Sequence, residues 1–276
     1  MTYATVMVGL SIDQPNEARL EIAGQLAERF GARIIGITAA EFSPPLYFTS
    51  GEQAQKLLDQ GRAAIKNRLA ELESEFRAAM QNRVTEVEWR CAEDFPSRYI
   101  VQQARASDII VVGEADRGII ADPFVQVSPS DLVMQTGRPL LVVPDACSWL
   151  DLRSVLIAWK DTAEARRAVA DALPMLRKAS DITIVEVVEE LADRAAALSR
   201  LKDVAAWLSR HGVSASEQVP EECGEASAQL ERVASEVGAG VVVAGAYGHS
   251  RLREWILGGV TRRLLNPSNR CSLLSR

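Results

Sequence analysis

The residues most able to do chemistry are Gly245-Ala246-Tyr247-Gly248 and, nine residues on, Gly258-Gly259-Val260-Thr261. Glycine lets a backbone approach a ligand closely. Leu264 and Leu265 predict that Gly258–Thr261 open a helix, whose free N–H groups would suit an anion. The surrounding charge agrees: Arg251, Arg253, Arg262 and Arg263 stand against Glu254 alone, in a chain of formal net charge −6. Spacing by itself leaves two readings open, a phosphate site and a turn that only redirects the chain. The remaining residues point away from catalysis. There is no G-x-x-x-x-G-K-[ST] loop, no G-x-S-x-G elbow and no carboxylate pair flanking the glycines. Any hydrolysis of a bound phosphate ligand is expected to be slow, and the protein is not expected to be an enzyme in the ordinary sense.

Such a loop must be held by a scaffold, and the scaffold is written in short apolar runs alternating with helical patterns, the signature of βα units around a parallel sheet. In the first half the predicted strands are Thr5–Leu10, Arg33–Ala39, Val84–Arg90, Asp108–Gly113 and Pro139–Val143. Ala18, Ile22, Leu26 and Phe30, and then Leu58, Ile65, Leu69, Leu72 and Phe76, recur at helical spacing as core-facing stripes. The second half repeats the order with Ser154–Trp159, Asp181–Val187, Val213–Gln218, Val241–Ala244 and Cys271–Ser275, and with helices beginning near Thr162, Glu189, Gly224 and Thr261. Asp108–Gly113 and Pro139–Leu141 each find their counterpart 132 residues later, so one offset joins two strands and indicates a tandem duplication. The expected fold class is α/β, two tandem doubly wound domains at 1–147 and 148–276. Each would be a five-stranded parallel sheet of order 3-2-1-4-5 with helices on both faces. That order places the ends of the first and fourth strands side by side, which in the second half means the residues after Trp159 and after Ala244.

Composition bounds the rest. With 276 residues, 47% hydrophobic and 25% charged, the chain suits two globular cores, and no run approaches a membrane span. The acidic balance argues against nucleic-acid or anionic-membrane binding. Cys91, Cys147, Cys223 and Cys271 are scattered without C-x-x-C spacing, so reduced thiols are expected rather than a zinc site or disulfide framework. The N-terminus lacks a secretory pattern, which makes a cytoplasmic location the expectation.

Together, the glycine spacing, the strand order and the duplication resemble the universal stress protein family, over nearly the whole chain as two tandem domains. Nucleotide-binding members carry G-x-x-G, nine residues, then G followed by Ser or Thr. This sequence matches at Gly245, Gly248 and Gly258 but has Gly259 where the hydroxyl residue belongs, with Thr261 two residues on. The resemblance implies an adenine nucleotide such as ATP, with Mg, held in the second domain. The site would comprise Ala158, Trp159, Lys160, Val187, Ala244, Gly245, Gly248, Arg251, Gly258, Gly259, Val260, Thr261 and Arg262. Lys160 occupies the position of the family's ribose-binding aspartate, and Val187 that of the adenine contact in strand two. Lysine cannot accept the ribose hydroxyls' bonds; it could instead reach a phosphate or pair with Asp161 or Glu186. Binding is therefore expected to be weak or altered. The first domain, with Ser11 at the aspartate position and Gln126-Val127 in place of Gly258-Gly259, resembles the family's degenerate units. The resemblance also implies that the fifth strands pair antiparallel within the chain as a pseudo-dimer, with homodimers and an unknown protein partner as further expectations. The alternative function is a scaffold acting through domain and dimer surfaces without a nucleotide.

Overall fold

The computed structural model describes residues 2–43, 51–114, 122–188, 190–221, 224–247, 259–266 and 269–276. The first half contributes β1 (Thr5–Gly9), α1 (Glu17–Phe30), β2 (Arg33–Ala39), α2 (Gly51–Met80), β3 (Val87–Ala92), α3 (Pro96–Gln103), β4 (Ile109–Gly113), α4 (Pro129–Gln135) and β5 (Leu140–Val143). The second contributes β6 (Ser154–Trp159), α5 (Ala163–Leu176), β7 (Asp181–Glu186), α6 (Arg194–Arg210), β8 (Ser216–Gln218), α7 (Ala226–Glu236), β9 (Val241–Gly245), α8 (Gly259–Leu264) and β10 (Cys271–Ser275).

All ten strands join one sheet in the order β3-β2-β1-β4-β5-β10-β9-β6-β7-β8. Each half is thus the expected 3-2-1-4-5 arrangement, and the two meet where β5 runs antiparallel to β10, pairing Leu140 with Leu274, Leu141 with Leu273 and Val142 with Ser272. Every other pairing is parallel. The central strands β4, β5 and β10 are buried throughout, as unbroken apolar runs require when both faces are covered. Two halves that share a strand pair can also share a core. On one face, Leu20, Ile22 and Leu26 of α1 belong to the same buried cluster as Ala168, Val169 and Leu173 of α5 and Leu201 and Leu208 of α6. The other face carries two clusters: Ile100 of α3 and Leu132 of α4 share one with Leu140 and, across the seam, Leu265 and Leu274, while Val233 and Ala234 of α7 belong to a second over the second half.

Local chemistry sets the helix starts that face the candidate site. Thr162 is extended, and its hydroxyl accepts a 3.3 Å bond from the Ala165 amide, which caps α5 directly after β6. Ser128 caps α4 in the same way through the Asp131 amide, with Pro129 at the first helical position. Among the described residues no helix is long and apolar enough to cross a membrane.

Candidate functional site

In the second half β6 lies between β7 and β9, and the chain leaves the ends of β6 and β9 toward opposite faces, the reversal at which open α/β sheets bind ligands. Ala158 pairs with Ala244 across one side and with Val185 across the other. Two alanines at the crevice keep its floor low. Trp159 closes β6 with a buried ring, Lys160 follows it exposed, and Val187 is half-buried just past β7. Lys160 pairs with neither carboxylate beside it. Asp161 is bonded to Arg166, and Glu186, itself buried, accepts from Arg200. A cavity of about 390 Å³ opens beside β6 between α5 and α6, lined by Trp159, Val169 and Trp207 together with Asp161, Arg166 and Arg200.

Gly245 ends β9 for a packing reason. A methyl group there would lie 2.6 Å from the Glu164 carbonyl carbon and 2.9 Å from the Ala165 Cα, so the missing side chain is what lets the first turn of α5 close on the sheet. Beyond it, Tyr247 takes a left-handed φ of 59°. Gly248, Arg251 and Gly258 lie outside the described residues. Gly259, Val260, Thr261 and Arg262 form the start of α8, with Gly259 and Arg262 exposed and Thr261 buried. Arg263 stands 3.9 Å from Glu231 of α7.

One residue that sequence reasoning missed bears directly on this helix. Glu225, at the start of α7, puts Oε1 2.9 Å from where a Cβ on Gly259 would be, and the Ser227 hydroxyl donates to the same oxygen. A carboxylate therefore sits where the glycine pattern predicts room for phosphate, and nothing near Gly259 in the sequence announces it.

The first half shows the same crevice closed by the protein itself. Arg19, 3% exposed in the first turn of α1, lays its guanidinium over Gly113 at the end of β4, with Cζ 2.6 Å from the position a Cβ would take. Burial lowers its pKa, opposed by the carboxylates of Asp145, Asp13 and Glu17. Above it, Gln126 donates to Asp13 Oδ2 at 3.1 Å, the Ser11 hydroxyl donates to Asp13 Oδ1 at 2.6 Å, and the Glu41 amide donates to the Phe124 carbonyl at 2.8 Å. The loop after β4 is thus stitched across the ends of β1 and β2. Where the second half carries Ala165, the first carries Arg19, and the polar side chain takes up the space.

No protein-family model matches the chain, and no curated protein matches it in sequence. Among solved structures, a universal stress protein from Archaeoglobus fulgidus DSM 4304 superposes with a TM-score of 0.72 at 16% identity, covering 99% of this chain and 96% of its own. A universal stress protein from Pseudomonas aeruginosa UCBPP-PA14 follows with a TM-score of 0.60 at 14% identity over 99% of this chain and 93% of its own. A functionally unknown protein from Pseudomonas aeruginosa PAO1 gives 0.60 at 14% identity, with 99% and 92% covered. The full-length match and the two 3-2-1-4-5 halves agree: the chain has the fold of the universal stress proteins, built twice in tandem.

Proposed function

We propose that this chain is a universal stress protein of the cytoplasm that binds an adenine nucleotide weakly through its second half. The observation that carries the reading is the contrast between two equivalent crevices. Over β1 and β4 the crevice is filled by Arg19 and bridged by Asp13 and Gln126, whereas at β6 and β9 Ala158 and Ala244 lie side by side, followed by an exposed Lys160 that has no ion pair among the described residues. Small side chains and an exposed cation suit a phosphorylated ligand. In this reading Val187 meets the base, Lys160 turns to the phosphates, and the Gly259 and Val260 amides with Arg262 complete their binding. ATP with Mg is the ligand to try first. The bound nucleotide would be sensed rather than turned over.

Glu225 is the group that opposes this ligand, and it favours a second reading, a scaffold that works through its surfaces. Replacing it separates the two. Glu225→Gln removes a negative charge beside Gly259 while keeping the shape, and Mg-ATP affinity is expected to rise about threefold to tenfold, less at high salt because the site is exposed. Equilibrium dialysis with labelled ATP measures it. An unchanged affinity would mean that no phosphate approaches α8.

A further inference from the structure

Cys147 and Cys271 stand 124 residues apart in sequence, yet their sulfur atoms are 3.8 Å apart. Cys147 lies on the connector between β5 and β6, outside any helix or strand, and is half-buried; its thiol also reaches the Trp149 carbonyl at 3.4 Å. Cys271 opens β10 and is fully buried, held by β9 on one side and beside β5 on the other. An open cavity of about 390 Å³, lined by Cys147, Trp149, Asp151, Gly240 and Arg270, leads from solvent to this place. A molecule the size of a peroxide can enter it.

The two thiols are not alike. A hydrogen bond from Cys271 pulls the pKa of Cys147 down to about 7, while that same contact and burial hold Cys271 well above the ordinary thiol value. The charged groups that share the cavity are already neutralised: Asp151 is bonded to Arg153, and Arg270 to Glu231 and to the Ala239 carbonyl. The neighbouring thiol is therefore what stabilises the Cys147 thiolate. Cys91 lies exposed on β3 and has no second thiol beside it among the described residues.

We propose that Cys147 and Cys271 form an oxidation site for hydroperoxides, in which Cys147 is the attacked sulfur and Cys271 the resolving one. The Cys147 thiolate attacks the terminal peroxide oxygen, the O–O bond breaks, and the departing alkoxide or hydroxide takes up a proton, leaving a sulfenic acid. Cys271 then loses its proton and attacks the Cys147 sulfur. The S–S bond forms as the S–O bond breaks, and hydroxide leaves as water with that proton. Two thiols lose two electrons in all, and the hydroperoxide becomes an alcohol and water. Closing the sulfur separation from 3.8 Å to a bond of about 2 Å needs a shift of under ~2 Å, which falls to the connector because Cys271 is fixed in the sheet. The product ties the connector to the last strand and encloses the second half in one covalent loop.

The test is a titration of the reduced full-length protein with hydrogen peroxide, followed by thiol counting and peptide mass mapping. The expected result is loss of two of the four thiols with a single Cys147–Cys271 peptide lighter by two hydrogens. The reaction should quicken as pH rises through about 7, because the thiolate is the nucleophile. In Cys271→Ala or Cys271→Ser, Cys147 should stop at a sulfenic acid that dimedone captures. Oxidation that falls on Cys91 or Cys223 while Cys147 stays reduced, or disulfides only between separate molecules, overturns the proposal. Mapping of the unaltered protein decides this even if both Cys271 variants fail to fold.

Discussion

Leu141→Asp is expected to split the molecule at its centre. Leu141 pairs with Leu273 in the one antiparallel pairing among the described residues, and both side chains are fully buried with layers packed on each face. A carboxylate there must be neutralised or hydrated, and β5 has only four residues with which to keep its bonds to β10. The loss should exceed ~4 kcal/mol, the range reached when an unpaired charge enters a core. Leu141→Ala, which only leaves a cavity, should lose about 2–5 kcal/mol, and the protein should still fold as one unit. Urea unfolding followed by tryptophan fluorescence and by circular dichroism separates the cases. The aspartate variant should lose coincident transitions, and its freed β5 and β10 edges should drive aggregation. If Leu141→Asp unfolds in one native-like transition, the seam does not bind the halves together.

Gly245→Ala carries the second-largest expected effect, and it bears on whether the first glycine of the motif serves ligand or fold. The added methyl meets backbone atoms of Glu164 and Ala165, 2.6 Å and 2.9 Å away, and backbone has no rotamer through which to escape. Either α5 shifts off the sheet or β9 bends. Overpacking of this kind costs about 1–3 kcal/mol and sometimes more, and about 3 kcal/mol in a chain of this size lowers Tm by roughly 6–12 °C. Gly259→Ala is the matched control. There the obstacle is the Glu225 carboxylate, the end of a flexible exposed side chain, and Tm should move by no more than about 2 °C. Equal losses at the two positions would show that Gly245 has no special packing role.

Most of the sheet was legible because buried parallel strands are continuous apolar runs. β2, β6 and β10 occupy the expected residues, and the fourth strands fall within one residue of expectation. β3 was expected at Val84–Arg90 and lies at Val87–Ala92, since this edge strand is only partly buried and Phe76 packing on Trp89 sets its register through space. The helix expected near Glu189 begins at Arg194, after a short turn of tighter helix at Leu191–Asp193. α3 and α4 are too short, at 8 and 7 residues, to show a period.

The site was legible only as a place. Topology put the ends of β6 and β9 together, and the duplication showed which half lost its glycines. What decides ligand access was not readable, because it rests on neighbours distant in the chain: Gln126 on Asp13, Arg19 on Gly113, Glu225 on Gly259, and Cys147 on Cys271. Each pairing follows from two helices or loops converging on one strand end, and no local pattern encodes that convergence. The ion pairs imagined for Lys160 failed for the same reason, since α5 and α6 supply Arg166 and Arg200 to those carboxylates first.

The central claim, a nucleotide site at the end of β6 and β9, is tested most directly by calorimetric titration of Mg-ATP into the ligand-free protein and into Lys160→Asp/Gly259→Ser. The account predicts weak, saturable binding of one nucleotide per native chain. The double variant exchanges the Lys160 phosphate contact for a ribose acceptor and adds a hydroxyl donor at position 259, so it serves as the reference for the family's own binding mode. No heat from the native protein, with binding only in the variant, would contradict it and leave a preserved scaffold whose work is done through protein contacts.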